Sequence, residues 1–508
     1  KLSLHATTGD IHVNDGGVID LSGLSLPFND TTVNVPGGSL AVRADQGDIR
    51  VGTGANIDLR GGTKGGNGGR LDLRAESGMV DLSGGLQGGA ASGYLGATLS
   101  IDSAGAFDLG ALAGAMAAGA VDGGVSVHTR EGDLALAAGQ TLRAHLVDLT
   151  ADGGSIGIGG TIDASGTFGG SIDLFGARGV DIDGVLDTHA SAQGRHGGDI
   201  QIGTSGTGNG TLNGQYGYQN VDVANAGHIR IGAGALIEQG GDTANGRLYL
   251  RAPLLSSGDT PVDIAASASF AHTRDTTLEV YATWDTRDAV IDPTKHFDGL
   301  VDPSGWFRLD PATGKAVLVD GVFTDSNGGA VAGPDPSDFT QVMDFLSRYT
   351  FTPAAIDTDH ATFYGYAGGD EAQGAGTLMG FVQSPGFTFE PRLSAAPGLH
   401  VRPGIELRAG DDNGSAGTID VLTPWNLGAG KRDANGNLDL VYRYQGQAPV
   451  LSLRAAGDVN VYASVTDGFF QDGNAGGGAG ATPDKEDWAA ASAAWTTVLD
   501  LGNGIDGT

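Results

Sequence analysis

The sequence predicts an all-β solenoid, a parallel β-helix with loop excursions, from three observations. Short strands of the form apolar-x-apolar recur along the chain, as in GDIRV from residue 47 and GGRLDL from residue 68. They follow one another closely, since Leu40, Ile49 and Ile57 lie nine and eight residues apart. Glycine accounts for 90 of 508 residues and stands at nearly every corner, where a coil must turn sharply. This pattern is typical of stacked coils of roughly 20 residues each.

Within each strand, apolar and polar side chains alternate between the core and the solvent. In residues 68–85 the apolar positions assigned to the core are Leu71, Leu73, Val80 and Leu82. Asp72 and Asp81 alternate with them and are predicted to face water. A two-sheet sandwich is the alternative fold. We favour the solenoid because the strand pattern resumes unchanged after interruptions of very different length.

Changes in composition divide the chain into four parts. Residues 1–255 form the predicted shaft, with a helical or loop excursion at about 105–121, where Ala and Leu are concentrated. Residues 256–400 lose glycine and gain aromatic residues, which predicts an inserted subdomain with its own core. The strand pattern returns in residues 401–470. Residues 471–508 are predicted to be a glycine-rich linker and a terminal helix.

The insert is predicted to contain one short helix, in PSDFTQVMDFLSRY. Ser337 is the expected N-cap. The residues expected on one helical face are Phe339, Val342, Phe345, Leu346 and Tyr349. Because loops that project from a rigid scaffold often carry recognition, exposed aromatic residues of the insert are candidate ligand contacts. These candidates are Trp284, Trp306, Tyr364 and Tyr366.

Charge and composition restrict the possible partners. The chain has 60 acidic and 28 basic side chains and a net charge of −32, which repels nucleic acid and anionic membrane surfaces. No apolar run reaches the length of about 18 residues that a membrane-spanning helix needs, so we predict no membrane insertion. The absence of cysteine excludes thiol catalysis. Because no signal peptide precedes the strand pattern at Lys1, we expect an interior piece of a longer polypeptide.

A calcium-binding repeat is suggested by GGNGGRLDL, from Gly65, but the match fails at one position. Arg70 occupies the place where such a nonapeptide needs an aspartate ligand. Asp72 follows two residues later, between Arg70 and Arg74, so it has basic neighbours instead of a cation. We therefore predict no metal site and no cofactor. An isolated calcium ion in the Asp-rich loop formed by Asp411, Asp412 and Asn413 is the alternative.

One pair of carboxylates fits an enzymatic alternative, a polysaccharide lyase or hydrolase built on a β-helix. Asp181 and Asp183 in VDIDG share a strand face, about 6.5–7 Å apart, a separation that suits a general acid and base. No constellation of Arg, Lys or His is recognisable beside them in the sequence, and alternating aspartates are typical of a solvated strand face. We predict that the chain is not an enzyme and assign it no catalytic residue.

Several longer phrases resemble a known family. They are LSLRAAGDVNVYASVTDGFF, VSVHTREGDLALAAGQTLRA, GGSIGIGGTIDASG and GLHVRPGIELRAGD. In texture and order they are similar to the filamentous-haemagglutinin-type large exoproteins of Gram-negative bacteria, which two-partner secretion exports. The match is to the region toward the C-terminal part of those proteins. It covers nearly all of the chain apart from much of the aromatic insert.

The resemblance implies a right-handed parallel β-helix and an extracellular location, secreted or on the bacterial outer surface. It implies an outer-membrane transporter as the partner of the parent polypeptide and supplies no catalytic residues. We expect a structural or adhesive segment of a fibre, an adhesin that binds host, matrix or neighbouring-cell glycans or proteins.

Overall fold

The computed structural model describes residues 1–213, 217–286, 299–310, 315–357, 377–410, 417–427, 431–432, 438–439 and 442–466. Strands account for 43% of the structure and helices for 8%, so the fold is all-β. The chain divides into two compact units. The first contains residues 1–207, 221–279 and 388–400, and the second contains residues 208–220, 280–387 and 401–508.

The first unit is built on one long parallel sheet, to which each turn of the solenoid, here called a coil, adds one strand. Nine of its strands lie wholly within this unit: Leu2–Ala6, Ser39–Ala44, Arg70–Ala75, Thr98–Ser103, Gly124–Thr129, Leu146–Ala151, Ser171–Gly176, Ile200–Gly203 and Leu248–Pro253. Their alternation of apolar and polar residues places the same position of each strand in the core. The parallel pairing excludes the sandwich alternative and confirms the predicted parallel β-helix.

Register makes the core a set of stacked columns. One buried column contains Leu40, Leu71, Leu99, Val125, Val147, Ile172, Ile200 and Leu248. The shortest coil leads from Val125 to its partner Val147, a step of 22 residues that agrees with the predicted length. Leu71, Leu73, Val80 and Leu82 are buried, as predicted. In each column, Leu, Val and Ile side chains pack on side chains of the same types in the coils above and below. This repeated burial of branched apolar side chains stabilises the stack.

Short strands complete the coils on two further faces, and each face has a three-stranded sheet followed along the chain by a separate five-stranded sheet. The two faces are here called the second and third sheets. The second sheet begins with Ile11–Val13, Ile49–Val51 and Val80–Leu82, and the third with Val18–Asp20, Asn56–Asp58 and Gly85–Gln87. Later coils add Leu134–Leu136, Ser155–Ile158, Gly179–Ile182, His228–Ile231 and Val262–Ile264 to the side of the second sheet. On the side of the third they add Thr141–Arg143, Thr161–Asp163, Val185–Asp187, Leu236–Glu238 and Ser269–Ala271. Parallel coils thus continue beyond residue 255.

Helix α1, Leu109–Gly119, replaces the two short strands of one coil, within the segment where composition predicted an excursion. Asp108 caps it, because its carboxylate accepts a hydrogen bond from the Ala111 backbone N–H at 2.8 Å. Leu112 and Met116 are buried, so the helix contributes to the same core as the strands around it.

Two other additions decorate the first unit. Strands Ser25–Phe28 and Thr31–Asn34 form an antiparallel hairpin that turns at Asn29, whose φ of 51° suits asparagine. The segment 388–400 contains the short 3₁₀ helix Glu390–Leu393. Another short 3₁₀ helix is Val223–Asn225.

The second unit combines parallel pairs with antiparallel ones. Its parallel strands are Leu300–Val301, Ile419–Val421, Trp425–Asn426, Val450–Ala455, Val459–Val461 and Val465–Thr466. Its antiparallel strands are Phe307–Leu309, Ala316–Leu318, Gly321–Thr324, Ala330–Val331, Thr350–Pro353, Lys431–Arg432 and Leu438–Asp439. Strands Thr276–Asp285 and Leu399–Ala409 belong partly to each unit. The helices are α2, Phe339–Arg348, and α3, Leu378–Gln383.

An aromatic core forms around α2, as predicted for the insert. Val342 is fully buried, and Phe339, Phe345, Leu346 and Tyr349 pack against the same cluster. The N-cap is Asp338 and not the predicted Ser337. The Asp338 carboxylate accepts from the Gln341 backbone N–H at 3.1 Å, whereas the Ser337 hydroxyl donates to Asp335. The predicted linker and terminal helix, 471–508, lie outside the described residues.

Candidate binding surface

The near-match to a calcium repeat forms an arginine–aspartate pair. Arg70 Nη2 lies 2.7 Å from Asp72 Oδ1, and Arg70 Nε lies 2.8 Å from the same oxygen. The carboxylate therefore has a basic partner, as the sequence indicated. In the described part of the chain, no group of three or more His, Asp or Glu side chains is placed to hold a metal ion. Asp411, Asp412 and Asn413 lie outside it.

The aromatic residues proposed as ligand contacts take different positions. Trp284 has no exposed surface, and its ring packs edge-on against Tyr218 and Phe381, so it is not open to a ligand. Trp306 is partly buried and packs against Phe351, with ring centroids 5.3 Å apart. Both rings therefore serve the core of the second unit, because large apolar rings gain most from burial. Tyr364 and Tyr366 lie outside the described residues.

Asp181 and Asp183 share one arginine of the neighbouring coil. Arg230 Nε lies 2.6 Å from Asp181 Oδ1, and Arg230 Nη1 lies 2.9 Å from Asp183 Oδ1. His228 Nε2 is 3.1 Å from the second oxygen of Asp181. The hydrogen bond from Arg230 lowers the pKa of Asp183 below its ordinary value. A carboxyl group that ionises so readily is a poor general acid at neutral pH, so this geometry suits ion pairing better than proton transfer.

Arg230 and His228 were not predicted as neighbours of these aspartates. Forty-nine residues separate Asp181 from Arg230, yet the two are direct partners in the second sheet. An alignment of the repeated strand sequences could have identified them. Aligning GVDI with GHIRI by their inward apolar positions, Val180 with Ile229, places arginine beside aspartate.

Most long excursions of the first unit leave from the corner between the third sheet and the next strand of the long sheet. This loop-bearing corner consists of residues 21–38, 59–69, 88–97, 164–170, 188–199 and 239–247. Two segments leave from a different corner: 204–227, of which residues 204–213 and 217–227 are described, and 254–261. The other corners carry short turns such as 45–48 and 159–160. Because the coils are in register, successive loops of the corner lie beside one another.

Exposed aromatic rings of the first unit, within its described residues, all lie on the loop-bearing corner. They are Phe28, 70% exposed, Tyr94, 48% exposed, and Phe168, 49% exposed. The guanidinium of Arg195 lies over the ring of Phe168, 4.1 Å from its centroid. Sequence patterns did not indicate these rings. Phe28 ends the first strand of the hairpin, and Tyr94 and Phe168 lie in the loop phrases GYLG and TFGG. The exposed part of each ring is available for contact with a ligand.

A groove of about 440 Å³ opens in the same corner, between the loops of three successive coils. Its polar and charged lining residues are Lys1, Ser39, Asn67, Arg70 and Thr98, and Leu95 adds an apolar side chain. Glycines form its floor. A Cβ on Gly69 would lie 2.0 Å from the Gly38 carbonyl oxygen, so the backbones meet too closely for side chains to fill the space. This volume suits a small ligand.

No family model matches this chain, and no curated protein or solved structure is significantly similar to it. None of the helices among the described residues is long and apolar enough to cross a membrane.

Proposed function

We propose that this chain is a non-catalytic segment of a secreted or surface-displayed bacterial fibre, which holds binding loops on a rigid shaft. The observation that carries the proposal is the loop-bearing corner. An in-register parallel stack with a buried apolar core supplies the rigid element, and exposed rings and a groove lie on loops that it positions. Scaffolds of this kind commonly bind through their loops.

The resemblance to filamentous-haemagglutinin-type exoproteins supports the same function. It rests on sequence phrases such as GDVNV and GLHVRPGIELRAGD, and a parallel β-helix is the fold that it implies. On this proposal the parent polypeptide is exported through an outer-membrane transporter of two-partner secretion. The partners of the mature fibre are glycans or proteins of a host, a matrix or a neighbouring cell.

Binding without catalysis is proposed because both members of the best carboxylate pair are engaged in ion pairs with one arginine. Arg230 holds both Asp181 and Asp183, and the lowered pKa of Asp183 does not suit a proton donor. The test incubates the purified chain with acidic and neutral polysaccharides and measures new reducing ends and unsaturated products. Either product, formed in proportion to the amount of chain, would support the lyase or hydrolase alternative and contradict the proposal.

A second experiment tests the binding role directly. In one variant, hairpin residues 25–34 are replaced by a short Gly-Ser turn, and in a matched control the turn at 45–48 is replaced instead. Both variants and the parent chain are then compared for retention on immobilised bacterial, host-cell and extracellular-matrix surfaces. We expect the hairpin variant to bind less and the control to bind like the parent. Equal binding of all three would argue against the loop-bearing corner, and no retention by any would overturn the binding role.

A further inference from the structure

The groove in the loop-bearing corner differs in charge from the chain that contains it. The chain carries a net charge of −32, yet among the described residues that line the groove there is no carboxylate. Its two charged lining residues are Lys1 and Arg70, both basic. Arg70 is paired with Asp72, which does not line the groove, so the surplus positive charge of the lining comes from Lys1. A positively charged lining on an acidic protein favours anions, because the remaining surface repels them.

The guanidinium of Arg70 already shows which anion it accommodates. Its Nε and Nη2 atoms both approach Asp72, whose two oxygens lie 2.8 and 2.9 Å from Nε. Nη2 lies 2.7 Å from one of these oxygens, so two nitrogens of the guanidinium already contact a carboxylate. Arg70 is 61% exposed and Asp72 is 35% exposed, so the guanidinium is held at the surface by a carboxylate that a ligand could replace.

Neutral hydrogen-bonding groups surround this cation. Ser39, Asn67 and Thr98 line the groove from three different coils, and hydroxyl and amide groups both donate and accept hydrogen bonds. Asn67 Oδ1 accepts from the Leu95 backbone N–H at 3.2 Å, which fixes the orientation of the amide. Leu95 lines the same groove, and the exposed ring of Tyr94 is its chain neighbour. Such a mixture suits a ligand with many hydroxyl groups and one acidic group.

We propose that this groove binds a short acidic saccharide, a chain of uronic acid units, and that Arg70 binds one of its carboxylates in place of Asp72. The inference rests on the proposed binding function and gives it a ligand class at one site. The hydroxyl groups of the sugar hydrogen-bond Ser39, Asn67 and Thr98, and the side chain of Lys1 adds a second positive charge.

The test is calorimetric titration of the full chain with trigalacturonate at low ionic strength. Three comparison ligands are used: its methyl ester, which keeps the rings and removes the charges, neutral maltotriose, and a monosulfated disaccharide. We expect trigalacturonate to bind at least about tenfold more tightly than the ester, and its affinity to fall as sodium chloride is added. Equal affinity for the ester, or binding of the sulfated sugar alone, would overturn the assignment to a carboxylate.

Three variants locate the binding. Arg70→Gln should weaken trigalacturonate binding by at least about tenfold, because the forked contact is lost. Asp72→Asn should strengthen it by about twofold to threefold, because the competing carboxylate is removed. Arg74→Gln is the matched control, since Arg74 lies on the same strand and face but does not line the groove. It should bind like the parent.

Thermal unfolding of each variant checks that the coil is intact. A folded Arg70→Gln variant with unchanged affinity would overturn the groove as the site. The surface-retention experiment distinguishes a failure of the saccharide assignment from a failure of the proposed binding function. If Arg70→Gln and the parent adhere equally, and the hairpin variant does not, only the saccharide assignment fails. If none of these proteins adheres, the binding function itself fails.

Discussion

Asp173 is the in-register partner of Asp148 on the adjacent parallel strand of the long sheet. Burial raises the pKa of Asp173 above its ordinary value, and the charges of Asp148 and Asp199 raise it further. Burial also raises the pKa of Asp199. The outer face of the long sheet therefore holds like charges close together, at a cost to the folded state.

Neutralising Asp173 should stabilise the fold. Asp173→Asn is expected to raise the free energy of unfolding at pH 7 by on the order of 0.5 kcal/mol, because it removes a like-charge pair across adjacent strands. Urea unfolding of the parent and the variant measures the difference. Asp81→Asn, at an exposed position of a short strand, is the control. A variant that is less stable than the parent at pH 7 would contradict the argument.

The difference in the free energy of unfolding between Asp173→Asn and the parent should become smaller as pH falls. The folded-state pKa of Asp173 is raised, so as pH falls through that value toward 3.8 the folded chain gains a proton before the unfolded chain does. The contribution of Asp173 to the free energy of unfolding therefore rises as pH falls in that window. We expect the advantage of Asp173→Asn to shrink between pH 7 and pH 4. An advantage that grows on acidification would show that the sign is wrong.

Leu71 and Asp72 should respond oppositely to substitution although they are neighbours. Leu71 is fully buried between Leu40 and Leu99, so Leu71→Asp places an unpaired charge in the stack and should cost more than about 4 kcal/mol. Asp72→Ala removes a surface ion pair and should cost less than about 1 kcal/mol. Chemical unfolding in calcium-free buffer measures both. A large loss from Asp72→Ala would contradict the outward orientation of this side chain.

Substitution by alanine should lower stability at a glycine in a coil corner but not at a glycine on a strand with free space around it. A Cβ on Gly184 would lie 1.9 Å from the Gly160 carbonyl oxygen of the preceding coil, so Gly184→Ala must separate two backbones. We expect a loss of about 1–3 kcal/mol. Gly157→Ala is the matched control, because nothing lies within 4 Å of its Cβ position. It should be neutral or slightly stabilising in the same thermal unfolding assay. Equal losses of stability in the two variants would show that the close backbone contact at Gly184 does not set the spacing between coils.

Substitution of Arg230 should change the pKa of the Asp183 carboxyl group, which Arg230 contacts. In Arg230→Gln the hydrogen bond to Asp183 is lost, and the pKa of Asp183 should rise toward 3.8. A carboxyl-carbon NMR titration of Asp183 measures this change directly. Arg143→Gln, which breaks the pair with Asp163, is the control. No movement of the Asp183 pKa in the Arg230 variant would mean that another group lowers it.

The periodic part of the fold was predictable because its signal is local. Alternation within six residues assigns Leu71 to the core and Asp72 to the surface, and it needs no knowledge of the neighbouring coil. The sharing of Arg230 between Asp181 and Asp183 was not predictable in the same way. It depends on which coils are adjacent, and excursions of unequal length hide the register between them.

The aromatic residues show a second limit of sequence patterns. The density of rings in the insert predicted a core there, and Val342 and Phe351 lie in one. Density does not indicate which ring is exposed, and Trp284, a predicted ligand contact, is buried. Phe168, a single ring among glycines, is exposed instead. The N-cap was misassigned by one residue because Ser337 and Asp338 are both good caps, and only the geometry distinguishes them.

Coils of very different length advance the stack by the same distance. The coil from Val125 to Val147 uses 22 residues and the coil from Ile200 to Leu248 uses 48, yet each adds one strand spacing of about 4.8 Å. The reach of such a shaft is therefore counted in coils and not in residues. A loop can gain or lose residues without changing the position of any other loop along the stack. On the proposed binding function, the sequence of each binding loop can therefore vary independently of the others.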